Sequence, residues 1–418
     1  MRLARLQQYY PWVVVGVCFV SVAGAFGTRA AFALFFVAVI EEFQWSRGLS
    51  AGALTLGSVA WTVAAPLVGY FLDRYGPRVV FPVGALLMAS GFVVTSMAQT
   101  VVQFYVGMGL LVGLGFAALP MTAQATVISN WFIRKRGVAM GIAASGIGVG
   151  ILLVVPATQL LISEAGWRVA YLVLALGIVV TIVPLNAIFQ RRRPQDIGLL
   201  PDFSVAGTRS GPGGRHTDPP DDCTLGQALG SLRFWLLACA VFIGALPLHM
   251  VLVHQVVAMV DLGFSKTMSA SMLGLTGFFT IFSMIGMGQL SDRINRERAY
   301  TLGSLCLVGA VLVLLLLEGP SQGWLAYSFP PLFAVGFSSR QSLYPTIAAD
   351  LFHGRHFGSI VGVIGLFIGA GAGVGPWLGG YLYDLSGDYD SAFVGAIILA
   401  LVSIGLIWGA APRKGPVA

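Results

Sequence analysis

The chain has 418 residues, is 57% hydrophobic and carries charge on only 10% of its positions, against roughly 25% in an average soluble domain. A water-soluble fold of this length cannot cover so much apolar surface, so the composition excludes one and points to a bilayer as the solvent. The formal net charge of +7 does not signal nucleic-acid binding, because the cations lie in short clusters between apolar runs, where they set membrane topology.

Arg2 and Arg5 precede the first apolar run, which continues past signal-peptide length with no Ala-x-Ala stop and reads as a retained membrane helix. Twelve runs follow one another near 12–38, 50–72, 79–98, 102–127, 138–163, 168–189, 233–260, 268–290, 299–317, 324–349, 357–383 and 391–411. Each is close to the ~20 residues a bilayer requires. The longest polar interval, 190–232, holds Arg191-Arg192-Arg193-Pro194, Gly211-Pro212-Gly213-Gly214 and Asp218-Pro219-Pro220-Asp221-Asp222. It cannot bury a core and reads as a linker, with one surface helix at 224–232. The expected fold is an all-α integral membrane protein of twelve transmembrane helices in two pseudo-symmetric six-helix bundles. The bundles are 1–190 and 233–418, with a cytoplasmic linker at 191–232.

Orientation follows from Lys and Arg. With both termini in the cytoplasm, nineteen of the 24 cations face inward, Arg47, Arg168 and Lys266 face outward, and Arg29 and Arg340 fall inside spans. The expected location is the cell (inner) membrane.

A short charged phrase, Gly69-Tyr70-Phe71-Leu72-Asp73-Arg74-Tyr75-Gly76-Pro77-Arg78, joins the second and third runs and makes them antiparallel neighbours. A similar phrase, Gly288-Gln289-Leu290-Ser291-Asp292-Arg293, returns after the eighth run, with its Gly, Asp and Arg shifted by one constant offset. One phrase written twice at a fixed spacing means two copies of one design. Gly recurs at intervals of four inside spans, as the pairs Gly137 with Gly141 and Gly146 with Gly150 in the fifth, and as Gly371, Gly375 and Gly379 in the eleventh. Such faces allow close helix approach where lipid supplies no hydrophobic force between helices. They serve plain packing or surfaces that slide between states.

An ionisable side chain at membrane depth is costly and marks a site by default. Arg29 lies mid-run in the first span near Phe26, and Arg340 lies in the tenth with Gln341 and Tyr344. His249 and His254 lie in the seventh; either can carry a proton near neutrality. The repeat offset of about 220 residues sets His249 opposite Arg29. Each of these four also has a structural reading, an Arg bonding helix carbonyls or a His bonding a neighbour. No Asp or Glu falls inside a span. Two buried cations without a buried acid call for an anionic partner, and a carboxylate fits the guanidinium fork. The binding candidates are therefore Arg29, Arg340, His249, Gln341, Tyr344 and Phe26, with His254 and His249 for a coupled proton. Gly69, Asp73, Arg74, Gly76, Arg78, Gly288, Asp292 and Arg293 are candidates for a conformational switch. Four Cys show no pairing by spacing and no metal cluster, and no Gly-x-x-x-x-Gly-Lys-[Ser/Thr] phosphate loop is present. Neither enzyme activity nor a cofactor is expected.

The phrase at 69–78 resembles the loop signature of the major facilitator superfamily, and the copy at 288 resembles its second-half echo. Within that superfamily, several stretches resemble prokaryotic relatives of the monocarboxylate and oxalate–formate transporters. They are Glu42-Phe43-Gln44-Trp45-Ser46-Arg47, Trp131-Phe132 with Arg136-Gly137, His254 to Asp261-Leu262-Gly263-Phe264-Ser265, and Arg340 in its Gly-Phe-x-x-Arg setting. The chain departs from those groups too. The eighth span has no charge before its end, the eighth and eleventh carry no basic residue within the bilayer, and the fourth has no early Arg. The resemblance implies a monomeric secondary carrier of a small organic anion working by alternating access, with proton coupling left open. The alternatives are an efflux carrier for amphipathic compounds, favoured by Phe26, Trp61, Tyr105, Phe116, Phe278 and Tyr344, and a ligand sensor built on a transporter fold.

Overall fold

The computed structural model describes residues 2–132, 136–197, 224–352 and 357–410. Linker positions 198–223 and the side chains of Asp73 and Asp292 lie outside the described residues.

Ten helices among the described residues are long and apolar enough to cross a membrane. One of them, Val138–Phe189, has 52 residues, more than twice what a bilayer needs. Gly166 breaks it with φ 81° and ψ 161°, so it supplies the fifth and sixth spans. The helix Phe329–Leu351 is more polar, carrying Ser338, Ser339, Arg340, Gln341 and Ser342, and completes the twelve.

The first span runs through Arg2–Ala30 and Phe32–Phe43, the second through Arg47–Tyr75 and the third through Pro77–Ser96. The fourth begins at a capping box, in which the Thr100 side chain accepts from the Gln103 N–H and Gln103 reaches back. It passes through a π-helical stretch, Tyr105–Leu111, and ends in Met121–Trp131. The second half opens with a Ser231 cap on the seventh span, Leu232–Asp261, and a Ser265 cap on the eighth, Lys266–Ile294. Arg296–Leu316 is the ninth, Phe357–Ser386 the eleventh and Asp390–Ala410 the twelfth.

The repeat seen in the sequence is written again in the backbone. Six described residues have φ between 53° and 89°, in the left-handed region, and they fall into three pairs: Gln44 with Gly263, Gly76 with Asn295, and Gly166 with Gly387. Each pair closes the same inter-span turn of its six-span half, about 220 residues apart.

The chain forms two compact units, Met1–Phe32 with Val59–His216 and Ala33–Ser58 with Thr217–Ala418. In the first unit, a Cβ on Gly27 would lie 2.6 Å from the Gly150 carbonyl oxygen, and one on Gly146 would lie 2.6 Å from that of Phe19. The first and fifth spans therefore touch backbone to backbone. In the second unit Gly371 and Gly375 do the same against Phe242 and Leu246 of the seventh span. Close approach of small residues substitutes for a hydrophobic drive between helices in lipid. Gly141, by contrast, has nothing within 4 Å of its Cβ position. The core of the second unit gathers Phe234, Val241, Tyr300, Leu343, Ile347 and Ile360.

Candidate functional site

In the first unit, Arg29 is half-buried at membrane depth within the span Tyr9–Phe43. Its guanidinium carbon lies 5.0 Å from the Phe116 ring centroid and 5.8 Å from that of Trp61. Phe26 and Trp61 both meet Phe116 edge-on, at 5.3 and 5.6 Å. Two rings, from the second and fourth spans, thus face one cation, whose charge is drawn to their negative faces, and Phe26 of the first span packs on one of them. Phe26 and Arg29 are three residues apart and so share a helix face.

Arg340 has different surroundings. It is 1% exposed. Its Nε donates to the Gly244 carbonyl at 2.9 Å, its Nη1 to the Gly336 carbonyl at 3.0 Å and its Nη2 to Ser304 Oγ at 3.3 Å. The guanidinium also lies 5.3 Å from the Tyr300 ring. Tyr344 shares this network: its Oη is 3.0 Å from Tyr300 Oη, which is 3.0 Å from Ser403 Oγ. In this conformation Arg340 and Tyr344 knit the seventh, ninth, tenth and twelfth spans together, inside the core rather than on an open wall. Gln341, one position on, is exposed.

His249 is half-buried, with Nδ1 2.9 Å from the Ala245 carbonyl one turn earlier. His254 is fully buried. Its Nε2 lies 2.8 Å from the Pro376 carbonyl and its Nδ1 2.9 Å from Tyr389 Oη. A carbonyl can only accept, so Nε2 carries the hydrogen in the neutral ring and Nδ1 accepts from the Tyr389 hydroxyl.

That hydroxyl leads to a cluster the sequence pointed to only as scattered charges at span ends. Arg47 Nη1 donates to Tyr389 Oη at 2.8 Å, and the guanidinium grips Asp261 in two-pronged fashion at 2.6 and 3.0 Å. It also lies over the Tyr383 ring at 3.7 Å. Asp384 accepts from the backbone N–H groups of Arg47 and Gly48 at 2.9 and 2.8 Å, capping the second span from another helix. Lys266, at the start of the eighth span, pairs with Glu41, near the end of the first, at 2.6 Å. The available signal was that Arg47, Asp261 and Asp384 all end spans on the same face.

The loop candidates have plainer roles. Arg78 Nε donates to the Ala187 carbonyl at 2.8 Å, tying the third span to the end of the sixth. Arg74 is exposed and donates to Tyr70 Oη at 2.9 Å. Gly69 and Gly288 have open space at their Cβ positions, and Arg293 is exposed. No group of three or more His, Cys, Asp or Glu able to hold a metal occurs among the described residues.

Twelve membrane helices in two repeats, with ionisable side chains at depth, define a membrane transporter rather than an enzyme. The chain belongs to the Major Facilitator Superfamily, whose family model matches residues 17–367. Monocarboxylate transporter 13 of Bos taurus is 28% identical over 395 residues, covering 93% of this chain and 87% of the relative. Monocarboxylate transporter 2 of Homo sapiens is 25% identical over 418 residues, covering 95% and 85%. Among solved structures, a bacterial homologue of the human lysosomal transporter Spinster aligns with a TM-score of 0.75 at 14% identity, over 96% of this chain and 97% of that one. This last likeness shows the fold.

Proposed function

We propose that the protein is a secondary active transporter that moves a small organic anion, a mono- or dicarboxylate, by alternating access. The observation that carries this reading is the seat of Arg29, a cation at membrane depth against the Trp61 and Phe116 rings, with Phe26 packed edge-on on Phe116. A carboxylate matches its planar fork, and the rings suit the apolar body attached to that carboxylate. The relatives named as monocarboxylate transporters support the same substrate class. Its three hydrogen bonds and its burial support a role for Arg340 in holding the second unit's helices rather than in meeting substrate. A coupled proton is assigned to His254 or His249. The nineteen inward-facing cations support a cell-membrane protein with both termini in the cytoplasm.

The test is uptake of labelled lactate, pyruvate, oxalate and malonate into proteoliposomes, with and without an inward proton gradient. Saturable uptake of at least one, faster with the gradient, is the expected result. Transport of amphipathic cations or neutral compounds instead, with none of the four anions, would move the assignment to an efflux carrier, the second reading that the ring cluster around Arg29 favours.

A further inference from the structure

Five groups of the second unit form one directional hydrogen-bonded chain. Asp261 holds Arg47 with both oxygens, Arg47 donates to Tyr389, Tyr389 donates to His254 Nδ1, and His254 Nε2 donates to the Pro376 carbonyl. The chain joins the start of the second span to the end of the seventh, the eleventh and the turn before the twelfth. Its direction is fixed at both ends, because Arg47 can only donate and the Pro376 carbonyl can only accept. One interior link depends on protonation, the lone pair of His254 Nδ1.

We propose that this chain is a proton-sensitive latch: neutral His254 helps to fasten the start of the second span to the seventh and eleventh beside the Asp261 and Asp384 contacts, and a proton on Nδ1 loosens that fastening. A protonated Nδ1 becomes a donor. Tyr389 Oη would then face two donors, Arg47 and His254, while its own O–H loses its acceptor. A second positive charge would also stand one hydroxyl away from Arg47, in a site where His254 is fully buried, and like charges there repel strongly. The simplest relief is for Arg47 to leave Tyr389.

The groups around His254 allow this. Phe36 of the first span meets its ring edge-on at 5.2 Å, and the eleventh span presents Pro376 and Gly379. The charged and titratable groups facing the cluster are Arg47, Asp261, Asp384, Tyr383 and Tyr389. Both carboxylates are already engaged by the Arg47 side chain or the Arg47 and Gly48 backbone. Burial pushes the Tyr389 phenol above its ordinary value, so it keeps its hydrogen at neutral pH and acts as the donor the chain requires.

The latch is independent of what the carrier transports, so it is read without substrate. Ser50, fully buried four residues into the second span, is replaced by Cys in a chain whose four native Cys are removed. Labelling by a membrane-impermeant maleimide is followed in liposomes at pH 5.5 and 7.5. Each rate is divided by that of the same thiol in denatured protein at the same pH. The expected result is labelling several-fold faster at pH 5.5. His254→Gln should remove the pH difference, and Tyr389→Phe should raise labelling at both pH values and flatten the difference. Equal rates at the two pH values, or a step that survives in either variant, would overturn the proposal. Tyr389→Phe keeps the test decisive if His254→Gln fails to fold.

Discussion

Gly76 and Asn295 hold nearly the same backbone conformation, φ 78° and ψ 169° for the first and φ 80° and ψ 152° for the second, at matching turns of the two repeats. This region is almost closed to residues with a Cβ and costs about 1–3 kcal/mol when one is forced into it. The first repeat meets the requirement with glycine, and the second meets it with strain. Asn295→Gly is therefore expected to stabilise the protein by about 1 kcal/mol or more, and Gly76→Asn to destabilise it comparably. Thermal melting in detergent checks both. A lower melting temperature for Asn295→Gly would mean that the Asn side chain makes contacts worth more than the strain it carries.

Gly379 supports the seat of His254. A Cβ there would lie 2.7 Å from Met250 Cγ and 2.9 Å from His254 Cδ2. Gly379→Ala should displace the imidazole from the Pro376 carbonyl and cost about 1–3 kcal/mol through overpacking. Gly141→Ala, where nothing lies within 4 Å, is the control. It should be neutral or stabilising by up to about 1 kcal/mol, since alanine favours the helix. Equal melting temperatures for the two variants would show that the eleventh span yields easily around His254.

Asp384 acts as a helix cap supplied by a distant segment. Its two oxygens accept from the first N–H groups of the second span, where the helix dipole also favours negative charge. Asp384→Ala should cost about 0.5–2 kcal/mol, and Asp384→Asn less, because the amide oxygen can still accept one of the two bonds. Hydrogen exchange at the Arg47 and Gly48 amides is the direct measurement. Unchanged protection in Asp384→Ala would show that the two amides do not depend on this carboxylate.

The architecture was legible because two strong periodic signals carry it, the spacing of apolar runs and the phrase shared by Gly69–Arg74 and Gly288–Arg293. The site was less legible, for a physical reason that Arg340 makes plain. Sequence registers that a guanidinium is buried, but not whether its donors meet substrate or the carbonyls of Gly244 and Gly336. Both satisfy the demand that a buried charge be hydrogen-bonded. Phe26 and Arg29 are three residues apart and share a helix face, a local relation that sequence does register, and both meet the Phe116 ring. The cluster of Arg47, Asp261, Asp384 and Tyr389 was missed, because Arg47 lies more than two hundred residues from each of the other three in the chain. Span-end charges are common enough that position alone does not pair them.

The two membrane arginines provide the sharpest comparison. Arg340 donates three hydrogen bonds inside a core, and removing one partner of a buried hydrogen bond leaves the other unsatisfied, at about 1–3 kcal/mol. Arg340→Gln should therefore melt well below the parent or express poorly. Arg340→Lys should be little better, because an ammonium cannot reproduce the fork that spans Gly244, Gly336 and Ser304. Arg29 sits half-buried against the Trp61 and Phe116 rings, where the proposed carboxylate would meet its fork. Arg29→Gln should stay folded and monodisperse yet lose about 2–5 kcal/mol of anion affinity, read by equilibrium binding to the purified protein. Trp61→Ala should weaken the same binding by a smaller step, about 0.5–2 kcal/mol, as the face beneath the guanidinium is lost. The pattern separates the two roles, since one substitution acts on the melting curve and the other on the binding isotherm. A stable Arg340→Gln protein that no longer binds the anion would return Arg340 to the substrate site. Unchanged affinity in a folded Arg29→Gln protein would remove Arg29 from it.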